Sequence, residues 1–313
     1  MKISVIIPVY NAEKYVSQAV ESALQFPEVF EVILVEDQSP DNALEVCRTL
    51  EKTYDRVKLF QHEDRGNHGA GASRNLGISK ATGDFIAFLD ADDYYLPNRF
   101  DAEKLLFKNP EVHGVYGAIG VHYYSEKAKQ QYFPVFGDRL TTVYKEHKPE
   151  DVFPGQLNML GSFGLFSIDA LTLRKKNLDQ KINPYFKTHL RLHQDTEFLF
   201  RTSFYLHLYP GILNEAVAMR GVHENNRITQ VDSKKVKPSN SRVLLWREVN
   251  LWAQSENKVP EHIQKHIERM HRSWEIAHAR RLKKWSMIAK YLIADYKTIR
   301  SGLYNINFRN DLF

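Results

Sequence analysis

Four short apolar runs, Ile3 to Val9, Val32 to Val35, Val57 to Phe60 and Phe85 to Leu89, constrain this chain more than any other feature. Each is rich in β-branched residues and bounded by polar or glycine-containing stretches, so each reads as a buried strand. Between them stand helix-like segments, Glu13 to Gln25, Asn42 to Lys52 and Gly71 to Lys80, the first repeating Val16, Ala19, Val20, Ala23 and Leu24 at helical spacing. Alternating strand and helix require right-handed crossovers, which predicts an α/β fold with a mostly parallel central sheet. Ligands of such a sheet gather at the carboxyl ends of its strands.

The 313 residues exceed the usual size of one domain, so an α/β domain with an appendage is expected. From Glu111 to Gly221 the pattern is less regular, with a strand predicted over Val115 to Tyr124 and a helix over Asp195 to Tyr205. Glu224 to Ser241 is polar and reads as a loop or linker. Beyond it, Ile263, Ile267, Met270, Trp274 and Ala277 recur every three or four residues, and Trp285, Ile288, Leu292, Tyr296 and Ile299 do so again, predicting two amphipathic helices. The expected division is residues 1–110 and 111–223 as two halves of one domain, followed by a helical extension over 224–313.

Charge is unevenly placed. The net +5 arises from a tail, Lys234 onward, that carries 17 Lys/Arg against 7 Asp/Glu, which leaves the front of the chain acidic. His278, Arg280, Arg281, Lys283 and Lys284 lie beside the apolar stripes, so these helices either pack or dimerise, or rest on anionic lipid. No nucleic-acid motif accompanies the basic stretch, and nucleic acid is not an expected partner. The opening MKISVIIPV is too short for a signal-peptide core, and no apolar run approaches the roughly 20 residues of a membrane span. With Cys47 as the single cysteine, the expected location is cytoplasmic, with peripheral contact at the inner face of the membrane as an extension of that reading.

The predicted strand ends outline one crevice: Pro8 to Asn11, Glu36-Asp37-Gln38-Ser39, the segment after Phe60, and Asp90-Ala91-Asp92-Asp93. Any one acidic strand end can simply cap the next helix, as Asn11 and Asp41 would suit; four in order point to a polar ligand.

At these residues the chain resembles glycosyltransferase family 2. The opening block is Ser4-Val5-Ile6-Ile7-Pro8-Val9-Tyr10-Asn11, followed by Val35-Glu36-Asp37-Gln38-Ser39, the small-residue helix Gly69-Ala70-Gly71-Ala72-Ser73-Arg74-Asn75, and the Asp-x-Asp strand end Phe88-Leu89-Asp90-Ala91-Asp92-Asp93. The resemblance implies a GT-A fold, Rossmann-like, with the nucleotide held by Pro8, Val9, Tyr10 and Asn11 and by Glu36. Glu-Asp stands where Asp-Asp is usual, so Asp37 is the alternative contact for base or ribose. It implies that Gly71 lets the helix start approach the ligand, with close packing on the sheet as the other use of the small residues, and that Arg74 and Asn75 face ribose or diphosphate. A diphosphate beside Asp90, Ala91 and Asp92 needs a bridging cation, and hard oxygen ligands favour Mn²⁺ or Mg²⁺. Asp92 is the expected metal ligand, Asp90 the ribose ligand, and Asp93 a cap for the segment at Leu96-Pro97. Further along, His193-Gln194-Asp195 resembles the family's Glu-Asp helix start, with Gln194 replacing Glu and Asp195 as the catalytic base. Ala170 to Lys175 resembles the strand before it. Arg220-Gly221-Val222-His223 and Arg227 resemble a late segment in which His223 completes the metal site and Arg227 clamps the diphosphate.

The resemblance therefore implies metal-dependent, inverting transfer of a sugar from a nucleoside-diphosphate donor, a UDP-sugar by default, to a glycan or lipid-linked saccharide. A nucleotidylyltransferase would carry a glycine-rich, Arg-containing loop after the first strand, where this chain has Pro-Val-Tyr-Asn. A nucleotide-sugar binding module without transfer activity is the remaining alternative; loss of Asp92 or Asp195 would favour it, and both are present.

Overall fold

A computed structural model describes residues 1–224, 226, 238–279 and 281–302. The predicted strands and crossover helices form at their expected places: β1 (Ile3–Val9), α1 (Val16–Leu24), β2 (Val29–Glu36), α2 (Ala43–Thr53), β3 (Val57–Gln61), α3 (Ala70–Lys80) and β4 (Phe85–Phe88). They continue into β5 (Tyr94–Tyr95), β6 (Gly114–Tyr116), β7 (Ala118–Tyr123), β8 (Leu171–Arg174), β9 (Leu208–Pro210) and β10 (Ala216–Val222).

Seven strands form the central sheet in the order β3-β2-β1-β4-β8-β6-β9, and β5, β10 and β7 form a smaller one. In the large sheet β1 to β4 run parallel, and β8 is antiparallel to both neighbours. The chain steps outward from β1 through β2 to β3, then returns to the other side of β1 as β4, which opens a crevice at the carboxyl ends of β1 and β4. Ile3, Val5, Ile7 and Val9 face the layer built by α1 and α2, while Ile6 faces Ile78 of α3, so the strand is apolar on both sides because both are covered. Close contact between α3 and the sheet is made at Gly77, outside the Gly69 to Asn75 block for which such packing was an expectation: an added Cβ there would lie 2.4 Å from Ile6 Cγ2.

The strand predicted over Val115 to Tyr124 is two strands in different sheets. Gly117 breaks it: its N–H bonds Ala170 O at 3.0 Å, and an added Cβ would meet Ile212 O at 3.2 Å. Neither Asn11 nor Asp93 caps a helix. Asn11 adopts a left-handed backbone (φ 55°) and its N–H bonds Ser39 Oγ, whereas Asp93 is buried and accepts the N–H of Gly221 at 2.8 Å.

The chain divides into two compact units, Met1–His189 with Phe198–Thr229, and Leu190–Glu197 with Gln230–Phe313. The second contains the helices Pro238–Ser255, Glu261–His278, Arg281–Ala294 and Tyr296–Gly302. The helix predicted at the chain's Asp195 begins one residue earlier, as Gln194–Tyr205. Ile263 and Ile267 are buried as the first stripe requires. The second stripe is not one surface. Asp295 ends the helix before it and accepts Arg269 Nε at 2.8 Å and Thr298 Oγ1 at 3.2 Å, starting a new helix. Ile288 packs on Ile276 and Ala277, while Trp285 and Leu292 point to solvent, and Lys284 is buried instead of facing outward. Of the predicted loop Glu224 to Ser241, residues 225 and 227–237 lie outside the described residues; 238–241 begin a helix. No helix among the described residues is long and apolar enough to cross a membrane.

Candidate active site

The acidic ends of β2 and β4 flank the end of β1, and each carboxylate can be followed to its partners. Asp37 is buried: Oδ1 accepts the His68 N–H at 2.7 Å, and Oδ2 accepts Gly69 N–H at 2.8 Å and the Asn67 amide at 3.0 Å. It thus holds the chain where α3 starts, a turn that needs Gly69 at φ 86°. Glu36 accepts the Ser39 N–H and the Gln61 amide, the latter at 2.7 Å. Gln38 between them is left-handed at φ 58°, a strained conformation for a non-glycine residue. His62 Nε2 lies 3.5 Å from Asp37 Oδ1 and its ring meets that of His68 at 4.4 Å; burial and the neighbouring His68 lower its pKa.

Pro8 and Val9 end β1, and Tyr10 is exposed at the mouth beside Asn11. Gly71 is buried in the first turn of α3. Arg74, one turn further, pairs with Asp90 and lies 5.5 Å over the Phe186 ring. Asn75 bonds the backbone of Phe186 with both ends of its amide, each at 2.8 Å, so its described bonds anchor that segment.

At the end of β4, Ala91 and Asp93 are buried and Asp90 and Asp92 are half-buried. Asp92 Oδ2 lies 3.2 Å from His223 Nε2, although 131 residues separate the two, and accepts the Asn226 amide at 2.8 Å. Asn226 also bonds Gly221 O at 3.0 Å and receives the His223 N–H, which fixes the turn after β10. The approach depends on Gly221, where an added Cβ would lie 1.9 Å from Asp92 O. Tyr15 stacks on His223 at 4.5 Å, and Tyr124 donates to Asp92 O at 3.1 Å. Both tyrosines are pushed up in pKa, first by burial and then by neighbouring carboxylates.

Asp90, Asp93 and Asp169 form a second group, with one oxygen of each within 4.8 Å of the others. Asp169 precedes β8, accepts Ser167 Oγ at 2.6 Å and the Asp90 N–H at 3.0 Å. Burial and the negative charge of Asp90 push Asp169 up to about 6, and burial with Asp169, Asp92 and Asp90 pushes Asp93 well up, against the opposing effect of Arg220. Four carboxylates with few cationic partners form a site that gains from a divalent cation. The donor set fits one: a carboxylate oxygen and an imidazole nitrogen at 3.2 Å can be neighbouring ligands of Mn²⁺ or Mg²⁺, leaving positions for phosphate oxygens.

Asp195 stands exposed in the first turn of its helix, with Thr196 N–H bonded to Oδ1 at 2.8 Å. It belongs to the second compact unit, whereas Asp92 and His223 belong to the first. Arg227 lies outside the described residues. Sequence reasoning missed Asp169, Asn226, Tyr15 and Tyr124. The one available signal for Asp169 was a Ser-x-Asp turn ahead of the predicted strand at Ala170; Asn226 sits in a stretch whose polarity reads as linker.

Residues 4–174 match the profile of glycosyl transferase family 2. Glycosyltransferase GlyG of Streptococcus pneumoniae is 36% identical over 137 residues, which cover 43% of this chain and 44% of that protein. The chain spans less than half the length of the curated relatives that it matches. Among solved structures, Staphylococcus aureus TarS 1–349 in complex with UDP-GlcNAc aligns with a TM-score of 0.63 at 20% identity, covering 88% of this chain and 71% of that one. The mannosyltransferase PcManGT of Pyrobaculum calidifontis, in complex with GDP-Man and Mn²⁺, aligns with a TM-score of 0.53 at 13% identity, covering 98% and 82%. Sequence blocks on β1, at the ends of β2 and β4 and at the start of α3, a family profile across more than half of the chain and a shared GT-A architecture agree: this chain belongs to glycosyl transferase family 2.

Proposed function

We propose that the protein transfers a hexosyl or N-acetylhexosaminyl group, with inversion, from a UDP-sugar to a hydroxyl of a glycan or lipid-linked saccharide in cell-surface polysaccharide synthesis. The observation that supports this reading most is the meeting of Asp92 and His223 at the end of β4, beside Asp90 and Arg74. In this reading Asp92 and His223 hold Mn²⁺ or Mg²⁺, which when bound neutralises the diphosphate and stabilises its departure. Pro8, Val9, Tyr10, Asn11 and Glu36 or Asp37 border the nucleoside. Arg74 exchanges some of its pairing with Asp90 for ribose or diphosphate oxygens, and Arg227 adds a second cation. Asp195 takes the proton from the acceptor hydroxyl as it attacks the anomeric carbon. A buried lone cysteine, Cys47, fits a reducing, cytoplasmic setting.

The test is release of nucleoside diphosphate across a panel of UDP- and GDP-sugars with Mn²⁺, Mg²⁺ or chelator and a saccharide acceptor. Transfer that requires both cation and acceptor supports the reading. Tight donor binding with no turnover in any combination overturns it in favour of a binding module, and full activity in chelator removes the cation from it.

A further inference from the structure

On the helix Arg281–Ala294 the two sides are unlike. One side carries Lys284, Met287, Ile288 and Tyr291, and Ile288, Met287 and Tyr291 pack on Ile276 and Ala277 of the preceding helix. The helix is held there by Arg272, which lies 5.0 Å over the Tyr291 ring. At 100° per residue the opposite arc holds Leu282, Trp285, Ala289, Leu292 and Ile293, five apolar residues with no polar one among them, and all are exposed. Leu282 and Ile293 are 89% and 92% exposed, so neither contributes to packing. Exposed Ser286 and then Lys290 and Lys283 follow on one flank of this arc, and Asp295 is the one acid between 281 and 302.

We infer that the arc Leu282, Trp285, Ala289, Leu292 and Ile293 seats the protein on an anionic phospholipid surface. An apolar arc with lysines on one flank, and with an indole among the aliphatic side chains, is the pattern of a helix lying in the plane of a lipid interface. There the apolar side chains reach the acyl boundary while the lysines meet headgroup phosphates. A second copy of the chain is the weaker occupant. A two-fold contact through this arc would set the lysine flank of one copy beside that of the other, in a tail that already carries ten more basic than acidic residues. This inference does not rest on the transferase reading, because it concerns binding in the absence of donor and acceptor.

The experiment is co-sedimentation of the full chain with vesicles of phosphatidylcholine and phosphatidylglycerol in equal parts, against vesicles of phosphatidylcholine alone, at low and high salt. Binding to the anionic vesicles at low salt, weakened by salt, is expected. Leu282→Glu with Ile293→Glu should weaken it at least tenfold without changing the circular dichroism, since both side chains are exposed. Lys283→Gln with Lys290→Gln, which leaves the apolar arc intact, should weaken it by roughly fivefold per lysine and reduce the salt dependence. A blue shift of tryptophan emission on vesicle binding should disappear in Trp285→Phe. The proposal is overturned if the full chain stays in solution with anionic vesicles at low salt, if the glutamate pair binds like the parent, or if that pair instead splits a dimer that shows no vesicle binding.

Discussion

The carboxylates that end β2 and those that end β4 lie on either side of β1, and the fold treats them in opposite ways. Asp37 and Glu36 are surrounded by donors: backbone N–H groups of Ser39, His68 and Gly69 and the amides of Gln61 and Asn67. Asp90, Asp93 and Asp169 crowd one another at the end of β4 with Asp92 close by, and their partners are Arg74 at Asp90, the Gly221 N–H at Asp93, Ser167 Oγ and the Asp90 N–H at Asp169, and His223 with the Asn226 amide at Asp92. A buried acid given donors is held in place by them; buried acids set beside other acids, as Asp93 and Asp169 are, have raised pKa values and invite a cation. Acidic strand ends that look alike in a sequence therefore differ in surroundings: one ties down the turn where α3 starts, and the other sets acid beside acid.

Four changes test this contrast. The largest effect is expected at an acid outside both groups: Asp195→Asn should lower the transfer rate by about 10² to 10⁴-fold while leaving donor affinity unchanged, as steady-state kinetics and donor titration would show. Unaltered turnover would return the base to one of the β4 acids. Next, Asp37→Ala leaves the N–H groups of His68 and Gly69 without their acceptor and removes one bond of the Asn67 amide, and should destabilise the protein by about 3 kcal/mol in denaturant unfolding. A stable variant with lost donor binding would instead make Asp37 a ligand contact. Asp92→Ala should weaken cation-dependent donor binding by roughly 10 to 100-fold, read by titration with Mn²⁺ and with chelator, and shift stability little.

The smallest effect has the opposite sign. Asp169→Asn keeps the shape and removes a charge from the crowded group, so in chelator at pH 7.5 it should stabilise the protein by about 1 to 2 kcal/mol. The folded-state pKa of Asp169 is raised to about 6, so its favourable contribution is complete below the unfolded value and is lost as pH rises through about 6. The gain from Asp169→Asn should accordingly vanish near pH 4. A destabilised variant at pH 7.5 would show that Asp169 belongs with the acids held in place by donors.

Much of the first hundred residues was legible because their signals are local. Strands buried on both faces read as continuous apolar runs, and β1 appears with the predicted bounds, Ile3–Val9. Where neighbours far along the chain decide, the reading failed. The run over Val115 to Tyr124 is continuous in apolar character, but Gly117 turns it from one sheet into another because Ala170 and Ile212 crowd it. Trp285, Ile288 and Leu292 share a helical period, yet only Ile288 meets a partner helix. The bond of the Asn75 amide to the backbone of Phe186, 111 residues away, was likewise beyond any local signal.

By itself the sequence determined the alternation of strand and helix, the family blocks and the acidic ends of the strands, since periodicity and short motifs depend on residues a few positions apart. Tertiary structure decided which acids are neighbours and which have donors. The meeting of Asp92 with His223 across 131 residues, and of Asp90 with Asp169 across 79, follows from strand order and from a close approach that Gly221 permits. None of those three is a property of any local stretch of chain.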